Sequence, residues 1–195
     1  MENSTPALND RDKPAFLVRV IAAVTRRARL IWVRACFPGA AFGADSDVRS
    51  GFHMVLTKSG ALSIGKRCVI DRDMTIECRG ELSIGDNTIF GHHCTLAATD
   101  SLVIGRDCLI AEMVAIRDHD HRFDGPLDVP IRNQGSVSAP VRIGNNVWLA
   151  GKVTVLKGVT IGDNAVIGAN AVVTKDIPAN AVAVGVPARV IKYRA

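Results

Sequence analysis

The sequence predicts an all-β chain: a single-stranded parallel β-helix of hexapeptide repeats, with an N-terminal amphipathic α-helix and one loop extruded from its side. Three observations predict it. Ile, Leu, Val or Phe recurs at every sixth position, as Ile64, Ile70, Ile76, then Ile84, Phe90, Leu96, then Ile104, Ile110, Ile116, and after an interruption as Ile143, Leu149, Val155, Ile161, Ile167 and Val173. A longer period is superimposed, because Gly60-Ala-Leu-Ser-Ile-Gly65 returns as Gly80-Glu-Leu-Ser-Ile-Gly85 and again as Asp100-Ser-Leu-Val-Ile-Gly105. Fixed-period self-similarity marks a solenoid, and three hexads per unit suit a three-sided coil. The position four residues after each apolar one is small or compact, as in Cys68, Met74, Thr88, Cys94, Cys108, Val114, Val147, Val153, Val159, Ala165 and Ala171, which fits a narrow interior.

Taken in chain order, residues 1–13 are polar and read as disordered. Residues 14–59 read as an amphipathic helix and a less regular lead-in. From Pro14 to about Phe37, Leu17, Val20, Ile21, Val24, Ala28 and Ile31 recur at helical spacing, with arginines on much of the remaining surface. Pro38-Gly39 ends the helix. Such a helix either caps the open end of the solenoid, protecting its edge, or lies on an anionic membrane surface through residues 14–37 with Trp32 and Phe37 nearby. Residues 60–178 read as the β-helix, with a loop at 118–142. Stacked at the spacing of neighbouring strands, five coils would make a column about 24 Å long, stabilised by coil-on-coil contact. The run from Ile177, with Pro178, Pro187 and a basic end of Arg189, Lys192 and Arg194, reads as a terminal coil followed by a short strand or tail, with residues 179–195 taken as the C-terminal tail.

Composition narrows the class. The chain has 195 residues, 48% hydrophobic but 5% aromatic, as a slim aliphatic core requires. The net charge of +5 favours an anionic ligand. Nucleic acid is not supported, since stacking platforms are missing. The five cysteines include no CxxC pair, and three occupy inward positions, so they read as buried reduced thiols rather than nucleophiles, which points to the cytoplasm. No apolar run is long enough to span a bilayer, and Arg19, Arg26, Arg27 and Arg29 break up the only candidate for a secretion signal.

The chemistry concentrates where the repeat is interrupted. Long loops in compact domains are usually functional, and this one opens with Asp118-His119-Asp120-His121. Imidazole removes and returns a proton near neutral pH, and a flanking carboxylate can orient it.

The hexads, the loop, Ile143-Gly-Asn-Asn-Val-Trp-Leu-Ala-Gly151, Gly158-Val-Thr-Ile-Gly-Asp-Asn-Ala-Val-Ile-Gly168, Val173-Thr-Lys-Asp-Ile-Pro178 and Gly185-Val-Pro-Ala-Arg-Val-Ile191 resemble the hexapeptide-repeat acetyltransferases, and most of all their sugar O-acetyltransferase branch. The resemblance covers residues from about 60 to 192. It implies a left-handed β-helix assembled as a homotrimer, with acetyl-CoA as donor substrate and no metal. It implies His119 as catalytic base, with His121 as the fallback. It places Gly151, Ala169, Thr174 and Lys175 beside the cofactor, with Arg189 and Lys192 near its phosphates. The acceptor would be a saccharide hydroxyl in surface-polysaccharide assembly, the protein standing in the cytoplasm or at the inner face of the membrane. On the acceptor side the chain departs from its relatives: Gly91 and His93 stand where several small-sugar enzymes carry asparagines. His92 or His93 is either an acceptor contact or a corner residue facing solvent, and Trp148 is a candidate subunit contact.

Two rivals follow from the same residues. Four histidines within thirty residues suggest a zinc site like that of the gamma-type carbonic anhydrases, which resemble this chain in fold, although the wider histidine spacing of that family is not reproduced; metal analysis discriminates. A repeat also fits a non-catalytic binding scaffold, which coenzyme A would not stabilise.

Overall fold

The computed structural model describes residues 16–195, so the expected disorder of residues 1–13 lies outside the described residues. The described chain is one α-helix, Phe16–Cys36, followed by short strands that wind into a three-sided column, with a loop that carries a two-stranded ribbon and a short 3-10 helix, Ile131–Asn133. The first face stacks Ala40–Phe42, Ala61–Ile64, Glu81–Ile84, Ser101–Ile104, Val141–Ile143 and Thr160–Ile161. The second stacks Asp47–Val48, Val69–Ile70, Ile89–Phe90, Leu109–Ile110, Trp148–Leu149, Val166–Ile167 and Ala181–Val184. The third stacks His53–Leu56, Thr75–Cys78, Thr95–Ala98, Ala115–Arg117, Thr154–Val155 and Val172–Val173. All these pairings are parallel, and the architecture is the left-handed parallel β-helix.

Register follows the sequence period. Ile64, Ile84, Ile104, Ile143 and Ile161 pair in succession along the first face. Every hexad residue named above is buried, and so is every compact position four residues later. The corners are turned by left-handed residues, Asn87, Asp107, Asn146, Asn164 and Asn180 along the first and His93, Met113, Lys152 and Asn170 along the second. Asn and Asp tolerate this conformation because the short side chain finds local partners. Here they form a ladder, Asn146 Nδ2 donating to Asn164 Oδ1 at 2.8 Å and Asn164 Nδ2 to Asn180 Oδ1 at 3.0 Å. The glycine after each first-face strand answers a different need, close approach of the next coil: a Cβ on Gly85 would lie 2.5 Å from Arg106 N.

Three points refine the sequence expectations. The column begins earlier and has six complete coils, because residues 40–56 already form one. Phe42, Val48 and Met54 keep the six-residue spacing there, but without the Ile-Gly doublets that advertise it later. At the far end, the region read as a short strand or tail is the strand Arg189–Tyr193, which folds back antiparallel on Ala181–Val184 and pairs an otherwise open edge. Finally, Cys78 is buried along with Cys68, Cys94 and Cys108, whereas Cys36 is exposed on the helix.

The helix packs on the first coil through Leu30, Val33 and Phe37, with Val33 fully buried. Its arginines satisfy the end of the column: Arg29 donates to Val48 O at 3.0 Å, Arg34 to Phe42 O at 2.7 Å, and Arg26 pairs with Asp47 at 3.1 Å.

Candidate active site

The loop leaves the column at the third corner, after Ala115–Arg117, and returns at Val141. Its base is not irregular. His119–His121 pairs antiparallel with Ser136–Ser138, placing His119 opposite Ser138 and His121 opposite Ser136. Alternation along a strand then puts both histidines on one side of this ribbon and Asp120 on the other, where Asp120 pairs with Lys157 of the following coil.

Asp118 anchors the ribbon. Its side chain has no exposure, and its carboxylate accepts hydrogen bonds from Thr99 N at 2.8 and 2.9 Å and from Asp100 N at 2.7 Å. The same carboxylate lies 3.0 Å from His119 Nδ1, which is also 3.1 Å from the Thr99 hydroxyl. A carboxylate only accepts, so Nδ1 carries the ring proton and Nε2 keeps its lone pair. With its side chain 23% exposed, His119 is held on one edge while the other remains free to meet a ligand. The arrangement can take a proton at Nε2 and stabilise the imidazolium that results.

Sequence reasoning named His119 and a flanking carboxylate but missed Thr99. The signal was available: one coil is twenty residues here, so Thr99 sits directly under His119.

The remaining candidates other than Arg189 and Lys192 fall on two edges of the third face. Thr174 and Lys175 follow Val172–Val173 at the third corner, the edge that carries His119, further toward the C-terminus. Gly151 and Ala169 lie at the second corner, as do Gly91, His92 and His93. A strand of the third face separates these edges by roughly 15 Å, so one chain does not bring them together. At Gly151 the space a Cβ would fill is occupied by the Glu112 carboxylate, whose Oε1 would lie 2.4 Å from it. Arg189 and Lys192 are exposed on the terminal strand. The rings of His92 and His93 meet edge to face at 5.1 Å, and His93 Nε2 is 3.9 Å from Asp73 Oδ2. His121 is exposed. Among the described residues no group of three or more His, Cys, Asp or Glu side chains is placed to hold a metal ion.

The outward residues of the second face form a separate feature. Val69, Ile89, Leu109, Trp148, Val166 and Val182 pair in succession, an apolar ladder up the outside of the column. Ile89, Leu109 and Trp148 in its middle are exposed.

Residues 140–175 match the family described as bacterial transferase hexapeptide (six repeats), and residues 81–111 match the hexapeptide repeat of succinyl-transferase. WbbJ, a putative lipopolysaccharide biosynthesis O-acetyl transferase of Escherichia coli, is 36% identical over 149 residues, covering 72% of this chain and 76% of its own. A probable acetyltransferase of Mycobacterium tuberculosis is 40% identical over 134 residues, covering 68% of this chain but 44% of its own, so the chain spans less than half of that relative. Among solved structures, a galactoside acetyltransferase in complex with coenzyme A aligns with a TM-score of 0.60 at 34% identity, covering 74% of this chain and 65% of its own.

Proposed function

The chain belongs to the hexapeptide-repeat acetyltransferase family, and on that premise we propose that it is an acetyl-CoA-dependent O-acetyltransferase acting on a saccharide hydroxyl, with His119 as general base. The observation that carries the reading is the frame around His119: a buried carboxylate on Nδ1 leaves Nε2 as the proton acceptor at the mouth of the loop. His119 Nε2 takes the proton of the acceptor hydroxyl as its oxygen attacks the thioester carbonyl. The carbon–sulfur bond then breaks and the departing thiolate recovers that proton from Nε2–H. The similarity to a galactoside acetyltransferase and to WbbJ supports a saccharide acceptor, and WbbJ supports surface-polysaccharide assembly as its setting.

The working unit is a homotrimer. The apolar ladder on the second face is the surface such an assembly would bury, since a stripe of this kind marks an interaction site. The separation of Gly151 and Ala169 from His119 supports the same conclusion, because a groove between two copies can be walled by one edge of each. Lys175, Arg189 and Lys192 supply cations for the coenzyme's phosphates, and Gly151 lets the ligand approach backbone closely. Burial of four free cysteines supports a reducing compartment, the cytoplasm.

Release of free thiol from acetyl-CoA across a panel of saccharide acceptors tests this. His119→Ala lowers turnover by about 10² to 10⁴-fold. The same variant keeps its mass and its stabilisation by coenzyme A, about 2.7 kcal/mol at 100 times the dissociation constant. Undiminished turnover in the variant removes His119 as the base.

A further inference from the structure

The N-terminal helix has two apolar surfaces, and the column uses only one. Leu30, Val33 and Phe37 face the first coil, together with Arg26 and Arg29, whose guanidiniums bond to it. At 100° per residue, Val20, Ile21, Val24, Ala28, Ile31 and Trp32 fall on the opposite side. They are exposed, Val24 to 61% and Ile31 to 66%. Because the packed side closes the end of the column, this second stripe points away from the column along its axis. Copies associating side by side through the second face would leave it uncovered.

Charge decides between the two occupants that remain, a second assembly end to end or a lipid surface. The helix holds five arginines and no acidic residue; Arg26, Arg29 and Arg34 bond to the first coil, and Arg27 stands exposed on the flank of the stripe. Two such helices face to face would bring the Arg27 guanidiniums of both copies to one apolar seam with no acidic helix residue to pair them. An anionic leaflet complements both the stripe and its charge. No described helix is long and apolar enough to cross a membrane, so the helix lies in the interface rather than spanning it.

We propose that this helix docks the protein on an anionic membrane surface, its outer stripe sunk among the acyl chains and the column standing upright on the leaflet. Trp32 suits the boundary between headgroups and acyl chains. The placement has a consequence that rests on the acetyltransfer reading. Three coil steps of about 4.8 Å plus one helix diameter of about 10 Å put His119 roughly 25 Å above the stripe, clear of a headgroup layer of about 5–7 Å and so within reach of a saccharide carried on a lipid but not of the lipid itself. The acceptor is then a lipid-linked glycan.

Flotation of the full chain with phosphatidylcholine vesicles, with and without phosphatidylglycerol, tests the docking without needing turnover. The chain floats with the anionic vesicles, and the bound fraction falls as salt is raised. Val24→Glu combined with Ile31→Glu, both at exposed positions, lowers that fraction about tenfold at unchanged melting temperature and unchanged mass. Four results overturn the proposal: a chain that floats with neither vesicle, equal flotation on neutral vesicles, a double variant that floats as well as the parent, or a parent whose mass the double variant halves. Turnover on a free saccharide equal to that on its lipid-linked form overturns the acceptor assignment alone, leaving the docking intact.

Discussion

Removing the carboxylate of Asp118 separates two roles that the structure assigns to it, and the two substitutions available give different results. Asp118→Ala deletes an acceptor that receives the amides of Thr99 and Asp100 and faces His119 Nδ1. Hydrogen bonds to a charged group contribute about 1.5–3 kcal/mol each, and a buried N–H left without a partner costs about 1–3 kcal/mol. The loss is offset in part because a buried charge no longer has to be desolvated. The net expectation is a destabilisation of about 3–5 kcal/mol.

Asp118→Asn keeps the shape and one carbonyl oxygen. That oxygen serves best where both backbone amides converge, which turns the new NH₂ toward His119 Nδ1. An amide NH₂ donates, so Nδ1 becomes the acceptor and the ring proton moves to Nε2, the wrong tautomer for a base. Stability falls less than in the alanine variant, while turnover falls by about 10² to 10⁴-fold, as if the base were missing. Urea unfolding at fixed protein concentration measures the first quantity and thiol release at saturating acetyl-CoA the second. An asparagine variant with turnover within about threefold of the parent refutes the tautomer argument. An alanine variant destabilised by under about 1 kcal/mol refutes the burial argument.

Leu109 stands in the middle of the apolar ladder at 48% exposure, so Leu109→Asp reduces the mass by light scattering from three chains to one and lowers turnover with it; an unchanged mass places the subunit interface elsewhere. Burial pushes the Cys94 thiol up to about 11 and raises those of Cys68, Cys78 and Cys108. A disulfide reagent at neutral pH therefore modifies Cys36 alone in the native protein and the other four only after denaturation, since the thiolate is the reactive form; a second rapid equivalent in the native state contradicts that burial.

Much of this structure is legible in the sequence because a solenoid is locally periodic: a residue and its stacking partner are related by a fixed count. Ile84 pairs with Ile104 for the reason that both follow a repeated Leu-x-Ile-Gly pattern. Where the pattern thins, legibility fails. The coil at residues 40–56 keeps Phe42, Val48 and Met54 in step but lacks the glycine doublets after Val48 and Met54, and reads as irregular. The helix misleads in another way. Its most regular apolar stripe, through Val20, Val24 and Ile31, suggests the packed surface, yet the column binds the side bearing Val33, Arg26 and Arg29. Open strand ends present carbonyls, and guanidiniums satisfy them where aliphatic side chains cannot. Periodicity finds apolar surfaces and does not say what covers them.

The site obeys the same division. The stretch Asp118–His121 was legible because a loop interrupts the count there, the choice of His119 as the proposed base came from the family resemblance, and Thr99 is legible once the count is known. The assembly of the whole site was not, since its parts lie on two edges of one face and no local pattern relates them. The two edges nevertheless differ in kind. The second corner sets Gly91, Gly151 and Ala169 among larger polar residues, His92, His93, Glu112, Lys152 and Asn170, while the third carries His119, Thr174, Lys175 and the extruded ribbon. Under the proposed trimer, a groove between neighbouring copies takes one edge from each, so the second corner of one chain faces the third corner of the next, where the proposed base stands. A groove walled in this way would admit an extended, phosphate-bearing donor along its length, with Gly151 and Ala169 leaving room between the larger corner side chains and the ribbon confining the reacting end. A single copy would offer each wall without its counterpart, and catalysis would depend on association even though the base and its carboxylate belong to one chain.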